Sequence, residues 1–537
     1  MNGQVIGPIV ASPPPAGHRI TFQRLDGSTS MALTELHEAA GLLARGLRGL
    51  GVGAGDRIGI LAANSPQWVL IDLAALRLKA VTCGFEPGKF EPGESLARRY
   101  DLALLFTDQP AAGRRIRPVT DIEHLISRAD PGSALPVPSY RPQDVTTIKF
   151  TSGSTGEPKG LGATAGSIDS SVSAVQQMFR HGRDDNVFVF LPLSLLQQRY
   201  WIYSALRFGH DVTVSTYEAA FARLRSSGAT VVMGVPAFYE TARSHIEARA
   251  RRADFAAAGG RPRSAGTAAR EPTLSGAGGA HRGSGPSAAS VRAAAHELFG
   301  GRIRYLWTGS APARPSMLQF FADAGMPIYE GYGLNEACIV AKNYPGAHRE
   351  GSVGQVLPGK KVLLDADGLI SVWSEHPVNW RYEYAAPGES ERVFAPDGTV
   401  RTGDLGYLDA DGFLYIRGRA DDVIVLDNGV NVVVRPIEEH LKASPAVHEC
   451  VVLCPPGQSR LIAVVSPASD PPDATAIRAQ MASAGAVFGG HQRIGGLVIA
   501  PEPFSVGNGM LTSQFKPRRQ QIARAYLPRG EVTADGT

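Results

Sequence analysis

Residues 150–160 read Phe-Thr-Ser-Gly-Ser-Thr-Gly-Glu-Pro-Lys-Gly, and Thr151, Ser152, Ser154, Thr155 and Lys159 among them carry hydroxyl or ammonium donors. Gly153, Gly156 and Gly160 are interleaved with these donors. Upstream, Val145-Thr-Thr-Ile-Lys-Phe150 has the β-branched and aromatic content of a strand. A loop of glycines and hydroxyls leaving a strand turns backbone N–H groups toward an anion, and a polyphosphate is the obvious one. The same composition also makes a flexible surface loop, but the strand ahead of it and the closing Pro158-Lys159-Gly160 favour an ordered phosphate site. The spacing is not that of the kinase and GTPase P-loop, in which Gly-Lys-Ser/Thr must follow four intervening residues.

Three further stretches follow in order: Tyr329-Glu-Gly-Tyr-Gly-Leu-Asn-Glu336, then Arg401-Thr-Gly-Asp404 ahead of Gly412-Phe-Leu-Tyr-Ile-Arg-Gly-Arg419, then Asn508-Gly-Met-Leu-Thr-Ser-Gln-Phe-Lys516. Singly they have ordinary readings: a turn with a capping Glu, a Thr-Gly-Asp turn, a solvated lysine. Together with 150–160 they resemble the signature motifs of the adenylate-forming superfamily, which includes acyl-CoA synthetases, aryl-CoA ligases, luciferases, peptide-synthetase adenylation domains and stand-alone amide synthetases. The resemblance spans roughly residues 30–525.

That resemblance implies ATP and Mg²⁺ as cofactors and a carboxylic acid, fatty or aryl, as substrate. It implies catalytic roles for Lys516, Glu336 and Thr151, with Glu336 also holding the metal. A carboxylate suits a hard cation that keeps its waters and bridges phosphates. Nucleotide contacts are implied for Ser152, Gly153, Ser154, Thr155, Gly156 and Lys159, for Ser310 in Thr308-Gly-Ser-Ala-Pro312, and for Tyr332, Asn335, Asp404 and Arg419. One ionised carboxylate at Asp404 can accept from both ribose hydroxyls. Lys516 is the sole lysine after Lys442 in a chain with nine Lys and 45 Arg. A compact ammonium on a thin stem is something Arg does not supply.

The chain departs from the family pattern at Asn335, where Thr is usual, and at Leu195, where Leu191-Pro-Leu-Ser-Leu195 commonly ends in His. It departs again at Asn379-Trp-Arg-Tyr382, which replaces a Gly-Tyr segment, and at Val430. These departures leave two acceptors open, CoA or an amine. The acid pocket is expected from Gln197, Gln198, Tyr200 and Trp201, from Gly234-Val-Pro-Ala-Phe-Tyr239 and from 308–312. Trp201, Phe238 and Tyr239 suit an aromatic acid or belong to the core.

The elements that must position these motifs alternate. Leu36, Leu43, Leu47 and Leu50 have helical spacing, Arg57–Ala62 reads as a buried strand, Trp68–Lys79 as a helix and Val187–Phe190 as an apolar strand. This is the pattern of an α/β protein with mostly parallel sheets. The expected architecture is a large multi-lobed N-terminal domain over 1–418, two α/β sheet lobes plus a β-rich lobe at 351–416, followed by a small mobile α+β C-terminal domain over 419–537 hinged at Asp421. Residues 249–292, rich in Ala, Gly, Ser and Arg, read as a disordered insertion closed by a helix at 288–298.

Basic residues are scattered and the formal charge is +4, which speaks against a nucleic-acid partner. No apolar run is long enough for a membrane span. Cys83, Cys338, Cys450 and Cys454 have no zinc-type spacing, and a reducing, cytoplasmic setting is expected.

Overall fold

The computed structural model describes residues 4–129, 135–152, 158–258, 285–426, 430–455, 460–511 and 517–527. It divides into two compact units, Met1–Lys361 with Val372–Arg401, and Val362–Ser371 with Thr402–Thr537.

The first unit contains two sheets. One has six strands in the order Ile116–Pro118, Leu102–Thr107, Arg57–Leu61, Val81–Phe85, Val145–Ser152, Pro158–Thr164. All its pairings are parallel except the last. The other has nine strands, with a parallel centre that includes Asn186–Val189, Val231–Met233, Tyr305–Thr308 and Ile328–Leu334, and antiparallel edges. Parallel strands are covered on both faces, so they read as near-continuous apolar runs, and Val187, Phe188 and Val189 are fully buried.

Helix starts follow local chemistry. Ser65 accepts the Trp68 N–H at 3.2 Å and Pro66 occupies the first turn of Pro66–Leu78. Thr164 caps Ala165–Phe179 through the Ser167 N–H.

A buried charge network ties helices to strands in this unit. Arg199, on Leu196–Phe208, donates from Nη1 to Asp72 Oδ1 at 3.0 Å, Thr147 Oγ1 at 3.0 Å and Thr82 Oγ1 at 3.3 Å. Tyr203 donates to the other Asp72 oxygen at 2.5 Å, and the guanidinium lies 5.2 Å from the Trp68 ring centroid. Thr147 is four residues upstream of Thr151, so this network anchors the strand that leads into the expected phosphate loop.

Both ends of the segment 249–292, expected as a disordered insertion, are helical. Its first residues continue the helix Pro236–Ala257, and 288–292 begin the helix Ala288–Phe299. Asp254 fixes the two together by accepting from the Ser287 backbone N–H and the Ser290 hydroxyl. Alanines made these ends look featureless, yet Ala is the best helix former. Residues 259–284 lie outside the described residues.

In the second unit, Val400–Leu408 turns back through Asp409 into Leu414–Arg419, with Asp409 Oδ1 accepting the N–H groups of Asp411 and Phe413. The Asp365-Ala-Asp-Gly368 turn repeats this device. Beyond it lies a three-stranded sheet, Val447–Leu453, Leu461–Pro467 and Ile494–Ile499, packed against Arg435–Lys442 and Ala474–Val487. Among the described residues no helix is long and apolar enough to cross a membrane.

Candidate active site

The strand Val145–Ser152 pairs antiparallel with Pro158–Thr164 up to Ser152↔Pro158. Gly153, Ser154, Thr155 and Gly156 lie outside the described residues, and so do the side chains of Thr151 and Ser152. Lys159 follows at the start of the second strand. Its Nζ lies 2.8 Å from Glu389 Oε1 and 5.3 Å from the Tyr382 ring centroid. The hydrogen bond from Lys159 holds the Glu389 carboxyl below its usual range.

Tyr382 then reaches the second motif. Its hydroxyl donates to Glu336 Oε1 at 2.6 Å. Burial, reinforced by the Glu336 charge, pushes the Tyr382 phenol well above its usual value, so it stays a donor. Among the described residues no hydrogen bond or ion pair involves Glu336 Oε2. Glu336 is half-buried. One carboxylate with an oxygen to offer fits a Mg²⁺ that takes its other ligands from water and phosphate, and no cluster of three or more His, Cys, Asp or Glu competes for a metal among the described residues.

Tyr332 sits half-buried on Ile328–Leu334, and Asn335 is exposed at the turn that follows. The loop after Tyr305–Thr308 is tied to this strand by Glu330 Oε1, which accepts the Ala313 N–H at 3.0 Å. Ser310, exposed in that loop, has φ +71°.

Three lysines donate to main-chain carbonyls of the same segment. Lys149 Nζ lies 2.6 Å from Asn335 O, Lys342 Nζ lies 2.6 Å from Tyr329 O, and Lys360 Nζ donates to Ala337 O. Lys342 is fully buried, 3.6 Å from the Trp307 ring centroid and 2.9 Å from Thr308 O. Burial pulls its ammonium well below the usual lysine range against the opposing pull of Glu330, and burial also lowers Lys360.

In the second unit Asp404 and Arg419 are register partners across the hairpin. Arg419 Nη1 donates to Asp404 Oδ1 at 3.1 Å and to Thr402 O at 2.9 Å. Gly403 between them has φ +71°, and a Cβ there would stand 2.9 Å from Arg419 Nη2. Lys516 lies outside the described residues, but both flanks of its segment are fixed. Leu511 bridges to Pro517, and Arg519 pairs with Glu438 at 2.5 and 2.6 Å and with Asp422 at 3.1 Å.

The structure thus brings Lys159 and Glu336 together through Tyr382, places Tyr332 on the strand and Asn335 in the turn that lead to Glu336, and pairs Asp404 with Arg419. Sequence reasoning missed Tyr382, Glu389, Lys149, Lys342 and Lys360. Tyr382 stands in the segment that departs from the family pattern, and nothing in its spacing signals a contact with a residue 46 positions away. The lysines carried a signal: four of nine, Lys149, Lys159, Lys342 and Lys360, gather here in a chain that otherwise uses Arg. Of the expected pocket residues, Phe238 and Tyr239 belong to the core. Both are fully buried, Phe238 stacked 4.5 Å from Phe221, and the Tyr239 hydroxyl lies 3.0 Å from Val232 O and 2.9 Å from Trp307 O.

The sheets described above make a mixed α/β chain of two units, and residues 15–372 match the AMP-binding enzyme family model. The chain belongs to that family. It is 28% identical to the long-chain-fatty-acid–CoA ligase FadD15 of Mycobacterium bovis over 94% of this chain and 93% of that protein. It is 25% identical to a feruloyl-CoA synthase of an Amycolatopsis species over 80% of this chain and 81% of that one. Among solved structures it shares its fold with the O-succinylbenzoate coenzyme A synthetase of Bacillus subtilis, solved with ATP and magnesium (TM-score 0.70, 19% identity, 94% and 96% of the two chains). It also shares it with the anthranilate CoA ligase AuaEII, solved with anthranoyl-AMP (TM-score 0.72, 18% identity, 97% and 96%).

Proposed function

We propose that this protein is an ATP-dependent carboxylate ligase that forms acyl-AMP and then an acyl-CoA thioester. The observation that carries the reading is the Lys159–Tyr382–Glu336 arrangement, a cation and a held carboxylate joined beside the expected phosphate loop. The relatives support the acceptor, since those named above are acyl- and aryl-CoA ligases or synthetases.

In the first step a carboxylate oxygen of the acid attacks the α-phosphorus of ATP, the bond to the bridging oxygen breaks, and pyrophosphate leaves. Glu336, oriented by Tyr382, would hold Mg²⁺, which when bound offsets charge on the phosphates. Lys516 and the donors of 151–156 offset the same developing charge, and Asp404 with Arg419 orients the nucleoside. In the second step the CoA thiolate attacks the acyl carbon, the thioester forms and AMP departs. The small C-terminal domain turns about Asp421 between the steps, withdrawing Lys516.

The acid is fatty or aryl, and the four free cysteines suit a cytoplasmic setting. The test is mass analysis of products from the enzyme with ATP, Mg²⁺ and a panel of fatty and aryl acids, with CoA or with amines. A thioester and faster AMP release with CoA support the reading. Amide products with no response to CoA assign the protein instead as a stand-alone amide synthetase.

A further inference from the structure

We propose that Lys149 and Lys360 are positioning residues that clamp the backbone on both sides of Glu336 and so set its carboxylate for the metal. The inference rests on the reading of Glu336 given above. Lys149 Nζ holds the carbonyl of Asn335 at 2.6 Å, and Lys360 Nζ holds the carbonyl of Ala337. The two carbonyls belong to the residues immediately before and after Glu336. Lys149 is 6% exposed and comes from Val145–Ser152, the strand that enters the phosphate loop. Lys360 comes from a different strand, Lys360–Leu364, and its Nζ also lies 3.5 Å from Ser374 Oγ.

Among the described residues neither ammonium has a carboxylate within 4.0 Å. An ammonium removed from water without an opposing charge is costly to bury, so two such groups on the carbonyls either side of Glu336 are not explained by packing. Their common effect is to fix the 335–336 peptide plane that enters Glu336 and the 337–338 plane one residue beyond it, while Tyr382 fixes its side chain. Lys342 does the same at the head of the motif, on Tyr329 O. A compact ammonium on a thin, flexible stem brings its charge to a single carbonyl in a narrow space, which fits lysine at these positions in an Arg-rich chain.

The test uses Lys149→Met and Lys360→Met, with Lys149→Gln and Lys360→Gln as milder versions should either Met variant fail to fold. Lys89→Met, which loses only a surface pair with Glu86, is the control. Two readouts are taken: the Mg²⁺ concentration that half-saturates acid-dependent pyrophosphate exchange, and the calorimetric affinity for a non-hydrolysable ATP analogue with Mg²⁺ and with chelator. The expected result is a roughly tenfold rise in half-saturating Mg²⁺, as for a lost hydrogen bond to a charged group, with the KM for the acid unchanged. The Mg²⁺-linked gain in analogue affinity should shrink by a similar factor, while binding in chelator stays as in the parent. An unchanged Mg²⁺ dependence in folded variants, with kcat or melting temperature alone reduced, overturns the proposal. If the parent shows no exchange with any acid, the ligase reading fails, and the binding arm still decides on the clamp.

Discussion

The hydroxyl of Tyr382 donates to Glu336 Oε1 at 2.6 Å, across 46 residues of sequence. Tyr382→Phe keeps the ring over Lys159 and deletes only this bond. A hydrogen bond to a charged acceptor contributes about 1.5–3 kcal/mol. The variant should therefore lose roughly ten- to a hundredfold in kcat/KM for Mg·ATP at unchanged melting temperature. Steady-state kinetics with ATP varied at fixed Mg²⁺ reads this directly.

Gly403 lets Asp404 and Arg419 meet across the hairpin. Gly403→Ala must adopt φ near +71° and place a methyl 2.9 Å from Arg419 Nη2. The backbone penalty alone is about 1 kcal/mol. The expected outcome is AMP affinity lowered several-fold with a small fall in melting temperature, seen by calorimetry and thermal denaturation. Parent-like AMP binding would separate Asp404 from nucleotide recognition.

Removing Arg199 leaves Asp72 buried without its counter-charge. Arg199→Met should destabilise the fold by about 3–5 kcal/mol in denaturant titration. Adding Asp72→Asn to that variant should recover a large part of the loss, because the stranded charge is then gone. No recovery would show that the network stabilises by shape and not by charge.

His210 gives the fold an acid limit. Its Nδ1 faces the Asp211 carbonyl at 2.9 Å, so Nδ1 carries the proton and Nε2 faces the Ser204 hydroxyl at 3.0 Å. Burial lowers its pKa to about 4, and burial lowers that of neighbouring His181 as well. A depressed folded-state pKa means that the unfolded chain binds the proton first as pH falls. The stability from His210 is present above about pH 6.5 and is lost as pH falls toward 4, by on the order of 3 kcal/mol. Denaturant midpoints at pH 7 and pH 4.5 should differ accordingly, and His210→Asn should flatten the difference.

The alternating apolar runs and helix spacings made the parallel sheets legible, because strands buried on both faces must be apolar throughout. Leu36, Leu43 and Leu47 lie on the buried face of one helix, Leu33–Gly49, as their spacing requires, whereas Leu50 caps that helix and is exposed. The motifs stood out in the sequence because phosphate, ribose and metal would each demand particular residue types. The residues that hold them were not. Tyr382, Lys149 and Lys360 act through contacts made only when distant strands pack, and a tyrosine or lysine in a strand has the same local pattern whether it faces solvent or a carbonyl. Phe238 and Tyr239 show the converse, since aromatic residues suited to a pocket are also those that best fill a core.

Acid-dependent exchange of labelled pyrophosphate into ATP tests the central claim most directly, with Lys516→Ala measured alongside the parent. Adenylate formation predicts exchange that requires both Mg²⁺ and a fatty or aryl acid. It predicts a fall of about a hundredfold in Lys516→Ala, the loss expected for one preplaced charge at a transition state. No exchange with any acid by the folded parent, or exchange at the parent rate in Lys516→Ala, would contradict it.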